Sequence, residues 1–108
     1  MTLSFTMLTD IVKAVNAGRL LWKKHALERM MERGISRTEV KQVILQANII
    51  EYYLDDYPIP SVLLATPEPE PIHVVVAYDA SSQLCHVTTA YRPDLIHFEA
   101  DLMTRRFL

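Results

Sequence analysis

HALERMMERGIS, residues 25–36, contains a helix, the end of that helix and the start of the next one. Wound at about 100° per residue, Ala26, Leu27, Met30 and Met31 fall on one arc, with His25, Glu28, Arg29, Glu32 and Arg33 on the other. This pattern predicts an amphipathic helix over Lys24–Arg33 with one face in a core. Gly34 can adopt the left-handed conformation that stops a helix, and Ser36 with Glu39 three residues on forms a capping-box pattern. Val40, Val43, Ile44 and Ala47 then keep helical spacing, so a second core-facing helix follows at once.

Upstream, Leu8, Ile11, Val12 and Val15 predict a first helix over residues 7–17, with Thr6 as N-cap and Gly18 as stop. Arg19–Trp22 reads as a short connection whose Leu20, Leu21 and Trp22 anchor the next helix. Downstream of Asn48 the pattern becomes extended. Ile49–Leu54 and Ser61–Thr66 read as strands, separated by a proline-containing loop at Asp55–Pro60. Pro67–Pro71 (PEPEP) reads as the exposed tip of a hairpin, Ile72–Asp79 (IHVVVAYD) as a buried central strand and Leu84–Arg92 (LCHVTTAYR) as a fourth strand after a turn at Ala80–Gln83. Simple alternation puts Cys85, Val87, Thr89 and Tyr91 on one face of that strand and His86, Thr88, Ala90 and Arg92 on the other. Pro93–Asp94 ends the sheet, and residues 95–106 read equally as a short helix on Leu95, Phe98 and Leu102 or as extended chain. Helices followed by strands with short connections predict one α+β domain over residues 1–108. Its N-terminal helices pack on a four-stranded, mostly antiparallel sheet, leaving one face or end of the sheet open.

Composition narrows the function classes. Of 108 residues, half are hydrophobic and 22% charged, which is the balance of a folded globular chain. Apolar runs such as Ile72–Tyr78 fall far short of the roughly 20 residues that a membrane helix needs, so no membrane partner is expected. MTLSFTMLTD has neither a positive leader nor a small-residue cleavage site, and Cys85 is the lone cysteine. Both point to the cytoplasm. The net charge of −2 speaks against a surface wrapped in nonspecific nucleic-acid contacts and leaves room for a local basic groove.

His25, Arg29 and Arg33 recur at four-residue spacing along one helix flank. Arginine holds a phosphate with a fixed fork of donors, and histidine exchanges protons near neutral pH. Together they suit RNA cleavage without a metal, in which a base takes the 2′-hydroxyl proton and cations support the charged phosphorus centre. The competing reading is an exposed flank on which Glu28 and Glu32 pair with the arginines. Tyr91 and Arg92 form a second candidate pair at the end of the last strand, where a tyrosine can donate a hydrogen bond, serve as an acid or stack on a base; the competing reading has Tyr91 capping the core edge and Arg92 as a solvated strand end. His73, His86 and His97 lie in separate segments, no HExxH or CxxC occurs, and two glycines cannot build a phosphate loop. No metal or cofactor is therefore expected.

The run H-A-x-x-R-M-x-x-R-G-I-S at 25–36, with IIEYYLDDYPIPSVLL at 49–64, HVVVAYD at 73–79 and VTTAYRPD at 87–94, resembles the bacterial family of domain of unknown function 4258. That family looks related to RelE-type toxins and the barnase-like ribonuclease fold. The resemblance implies a toxin–antitoxin ribonuclease that cuts mRNA or tRNA, with RNA or the ribosome and an antitoxin protein as partners. It marks His25, Arg29 and Arg33, and Thr89 and Tyr91 of the terminal T-x-Y strand, as site residues. The alternative is a non-catalytic module that docks a protein partner through its helix flank or sheet edge.

Overall fold

The computed structural model describes residues 3–46, 48–66 and 70–106. In chain order the elements are α1 (Leu3–Asn16), β1 (Leu20–Trp22), α2 (Lys24–Arg33), α3 (Arg37–Gln46), β2 (Ile49–Tyr53), β3 (Ser61–Thr66), β4 (Ile72–Asp79) and β5 (Leu84–Tyr91). Helix α2 has the expected bounds and stops as its sequence requires. Gly34 sits at φ 67°, ψ 34°, and the amides of Gly34 and Ile35 bond back to the carbonyls of Met31 and Met30. The Ser36 amide then donates to Glu39 at 2.9 Å, while the Glu39 amide donates to the Ser36 hydroxyl at 3.0 Å, a complete capping box for α3. Helix α1 begins earlier than expected, so Thr6 lies inside it and not at its cap.

The fold is α+β, but its sheet has five strands in the order β1-β5-β4-β3-β2 and is mixed. Strands β2 to β5 form the expected antiparallel meander. The correction is β1: Leu20–Trp22, read as a connection, pairs in parallel with β5, Leu20 opposite Cys85 and Trp22 opposite Val87. Three residues are too few to show alternation. The strand exists because the outer edge of β5 offers bonding partners: the Cys85 amide donates to Arg19, and the Lys23 amide to Val87.

The helices cover one face of the sheet. Ile11, Ala26, Met30, Val40, Val43 and Ile44 pack with Val62, Leu64, Val74, Val76, Cys85, Val87 and Ala90 into the main core. A bulge corrects the simple alternation in β5. Val75 pairs with Thr89 but Val76 pairs with Val87, so Thr88 is an extra residue. The register beyond it is inverted: Ala90 joins the core with Cys85 and Val87, whereas Thr89 and Tyr91 remain partly exposed.

On the opposite face, Leu63, Ala65 and His73 are also fully buried, outside the helix-side cluster. Residues 94–106 cover that part of the sheet. They form neither of the expected shapes but a turn-rich segment closed by a bridge between Phe98 and Arg105, with Phe98 buried. Most of the PEPEP tip, at 67–69, and the core position expected at Ala47 lie outside the described residues. Among the described residues, no helix is long and apolar enough to cross a membrane.

The αL conformation at Gly34 has no atom within 4 Å of an added Cβ, so a substitution there meets backbone strain alone. Gly34→Ala should cost about 1 kcal/mol in urea denaturation, and Gly34→Asn clearly less, since asparagine tolerates this region.

Candidate functional site

Of the three basic residues of α2, only Arg33 lines a cleft among the described residues. His25 Nδ1 lies 3.2 Å from Glu28 on an exposed surface, its side chain 89% accessible. Arg29 donates to Glu32 at 3.3 Å, also exposed. These two belong to the ion-paired flank that the glutamates offered. Arg33, in the last turn, reaches across to the end of β5 and donates to the Ala90 carbonyl at 2.8 Å.

That reach places Arg33 on the wall of a cleft of about 600 Å³, shared with Tyr91, Arg92, Asp94, His97 and Arg105. Three guanidinium groups thus face one carboxylate across a small volume. Each is held by the fold. Arg92 donates to Glu70 at 3.0 Å and to the Gly34 carbonyl at 3.3 Å, and Arg105 stacks over the Phe98 ring at 4.7 Å. A guanidinium has five N–H donors, so donors remain for a ligand on each.

His97 is oriented by Asp94. The Asp94 carboxylate accepts the backbone amides of Ile96 and His97 and lies 2.9 Å from His97 Nδ1. Those bonds, the His97 amide foremost, hold the Asp94 carboxyl below its ordinary pKa. A carboxylate at Nδ1 selects the tautomer with its proton there and leaves Nε2 as the exchanging nitrogen, the arrangement that general acid–base chemistry uses.

A buried layer positions the cleft residues from behind. His73 Nε2 lies 2.7 Å from the Leu102 carbonyl, which can only accept, so Nε2 carries the proton. Nδ1 therefore accepts from the Tyr91 hydroxyl at 3.2 Å. Phe98 meets the His73 ring edge-on at 4.6 Å. Burial raises the Tyr91 pKa, keeping the phenol neutral, and lowers that of His73, keeping the imidazole neutral. Alongside, Glu51 accepts two bonds from Arg105, at 2.7 and 3.1 Å, and a third from the Tyr53 hydroxyl. The Arg105 bond holds Glu51 ionised, while burial and the Glu51 charge push the Tyr53 phenol up to about 12.

Of the residues expected at a site, the fold brings together Arg33 and Tyr91, with Arg92 beside them, and leaves His25 and Arg29 outside. Thr89 pairs with Val75 on the half-buried face of β5 and does not line the cleft. Asp94, His97 and Arg105 were missed, although the spacing of Asp94 and His97 directly after Pro93 is a local capping signal that sequence reading can find. Cys85 is buried, and its pKa is pushed up to about 12 by that burial, so it packs as a protonated thiol. Among the described residues, no group of three or more His, Cys, Asp or Glu is placed to hold a metal ion.

A family model described as Domain of unknown function (DUF4258) matches residues 22–92, well over half of the chain. The chain belongs to this family. Nothing among the curated proteins or the solved structures matches it. The DUF4258 match takes in Arg33, Tyr91 and Arg92, and stops short of Asp94, His97 and Arg105. The family region thus supplies one wall of the cleft, and the segment after β5 supplies the other.

The buried neutral His73 makes stability depend on pH. Its folded pKa lies below the unfolded value of about 6.5, so above that value both states are neutral and stability is flat. As pH falls below it, the unfolded chain takes up the proton first and stability drops. The urea midpoint should therefore fall between pH 7.5 and 5.5, and fall less steeply in His73→Gln, which retains a donor for Leu102. Equal slopes in the two proteins would contradict this account.

Proposed function

We propose that the protein is a ribonuclease of the RNA-cleaving toxin kind that works without a metal, with its site in the cleft between α2 and the segment after β5. The reading rests on one observation: Arg33 of α2 and Arg92 and Arg105 of the chain after β5 line one cleft together with a histidine held by an aspartate. His97 Nε2 takes the proton of the attacking 2′-hydroxyl. The 2′-oxygen bonds to phosphorus as the P–O5′ bond breaks, and the proton passes to O5′. The products are a 2′,3′-cyclic phosphate and a 5′-hydroxyl. The arginines hold the non-bridging oxygens, whose charge grows in the transition state. Tyr91, fixed by His73, presents a neutral ring for a flanking base. In this reading His97 takes the role that the α2 motif assigned to His25, and Arg92 with Arg105 that of Arg29.

A second reading has one observation behind it. Strand β2 is an edge of the sheet, with Tyr52 in it and Leu54 just after it each 47% exposed, which suits strand addition by a protein partner such as an antitoxin.

Cleavage of single-stranded RNA in a chelating buffer tests the ribonuclease. His97→Ala should slow it by about 10²–10⁴-fold, the usual share of a general base, and Arg33→Ala and Arg92→Ala by about tenfold or more. His25→Ala and Arg29→Ala should stay within about twofold of the parent, because exposed ion pairs contribute little. A single 2′-deoxy substitution at the cut site should abolish cleavage there. An inactive parent protein, or a His25→Ala defect as deep as that of His97→Ala, would sink the assignment.

A further inference from the structure

The sheet face away from the helices is only half covered. Residues 94–106 close over His73 and Leu63, but further along β5 the face is only partly covered, at His86 and Thr88. There a second cleft of about 420 Å³ opens between that part of the sheet and the loop joining β2 to β3. Its lining includes Lys23, Asp56, Tyr57, Asp79, His86 and Thr88. Its charge is opposite in character to that of the first cleft: two carboxylates face one lysine. A phosphate is poorly suited to this place, but a group rich in N–H donors is well suited.

The two carboxylates are fixed by the protein. Asp56 accepts from the Ser61 hydroxyl, and Asp79 accepts from the Ser81 amide at 3.0 Å and the Ser81 hydroxyl at 2.7 Å. An ionised carboxylate has about four acceptor positions, so each keeps capacity for a ligand. Lys23 and His86 make no side-chain hydrogen bond or ion pair among the described residues. Tyr57 stands on the rim, 95% exposed, where an aromatic ring gains nothing from the fold and offers a flat face. Tyr91 of the first cleft lies three residues along β5 from Thr88 and five from His86. At about 3.3 Å per residue that is roughly 10–17 Å, a span of a few nucleotides of single strand.

We infer that this second cleft is a base-reading subsite. A nucleobase a few positions from the scissile phosphate stacks on Tyr57 and gives its exocyclic amine to Asp56 or Asp79, so that the enzyme reads single strands and favours adenine, cytosine or guanine over uracil there. The inference rests on the ribonuclease reading for its direction along the chain, since the first cleft holds the phosphate. Uracil presents a carbonyl where cytosine presents an amine, and carboxylates turn that into discrimination.

Fluorescence anisotropy with 2′-O-methyl oligonucleotides, which cannot be cut, separates the two ideas. Dinucleotides report the first cleft and should lose affinity in Arg92→Ala. Octamers of A or C should bind the parent protein about tenfold or more tighter than the dinucleotides, and about tenfold tighter than an octamer of U. Tyr57→Ala and the double variant Asp56→Asn with Asp79→Asn should each erase that gain and leave dinucleotide binding unchanged; Tyr57 is too exposed for its loss to disturb the fold. Dinucleotide binding that depends on Arg92, but with no gain from length or no base preference, overturns the subsite and spares the ribonuclease. Absence of any binding that depends on Arg92 overturns both.

Discussion

The cleft depends on the clasp between Glu51 and Arg105. The two-point bond from Arg105 to the carboxylate of β2 draws the segment after β5 over a sheet face that would otherwise lie open, and the same guanidinium stacks on Phe98. Phe98 in turn packs against His73, which holds the hydroxyl of Tyr91. Both partners of the clasp retain solvent, 40% for Arg105 and 22% for Glu51, so water screens part of the attraction. Its effect is geometric. It sets the place where Asp94 and His97 stand relative to Arg33 on the far side of β5.

The distribution of charge follows from the same construction. A chain with net charge −2 has no overall basic excess, yet three arginines line one cleft because α2 ends beside the end of β5 and the following segment turns back. A site responds to the field at its own walls, and low net charge elsewhere limits indiscriminate adhesion to nucleic acid. The exposed pairs of α2, His25 with Glu28 and Arg29 with Glu32, cancel charge on the flank where the sequence places it most densely.

Helix α2, its glycine stop and the capping box of α3 were legible because each is decided within a dozen residues by local sterics and hydrogen bonding. The four strands of the meander were legible from composition and punctuation. What was not legible came from distant pairings. Strand β1 is three residues long and exists only against β5, and the bulge at Thr88 reflects how β5 meets β4. That one extra residue turns Ala90 toward the core and reverses the alternation expected for Thr89 and Tyr91. The site suffered in the same way: the spacing of His25, Arg29 and Arg33 is a fact about one helix, whereas membership of a cleft is a fact about three elements. Arg33 and Tyr91 lie at element ends, where such convergence occurs, and they are the ones the fold brings together.

The parallel pairing of β1 with β5 also bears on the order of biosynthesis. Leu20 leaves the ribosome early, but its strand has no partner until Cys85 and Val87 follow. Helices α1, α2 and α3 are complete well before then, while the sheet that receives their apolar faces is still being made. The growing chain therefore carries a sticky, unfinished half, and the last strand to emerge closes the sheet on both sides at once, against β4 and against the waiting β1. Newly made chains are thus most in need of protection from aggregation just before β5 appears.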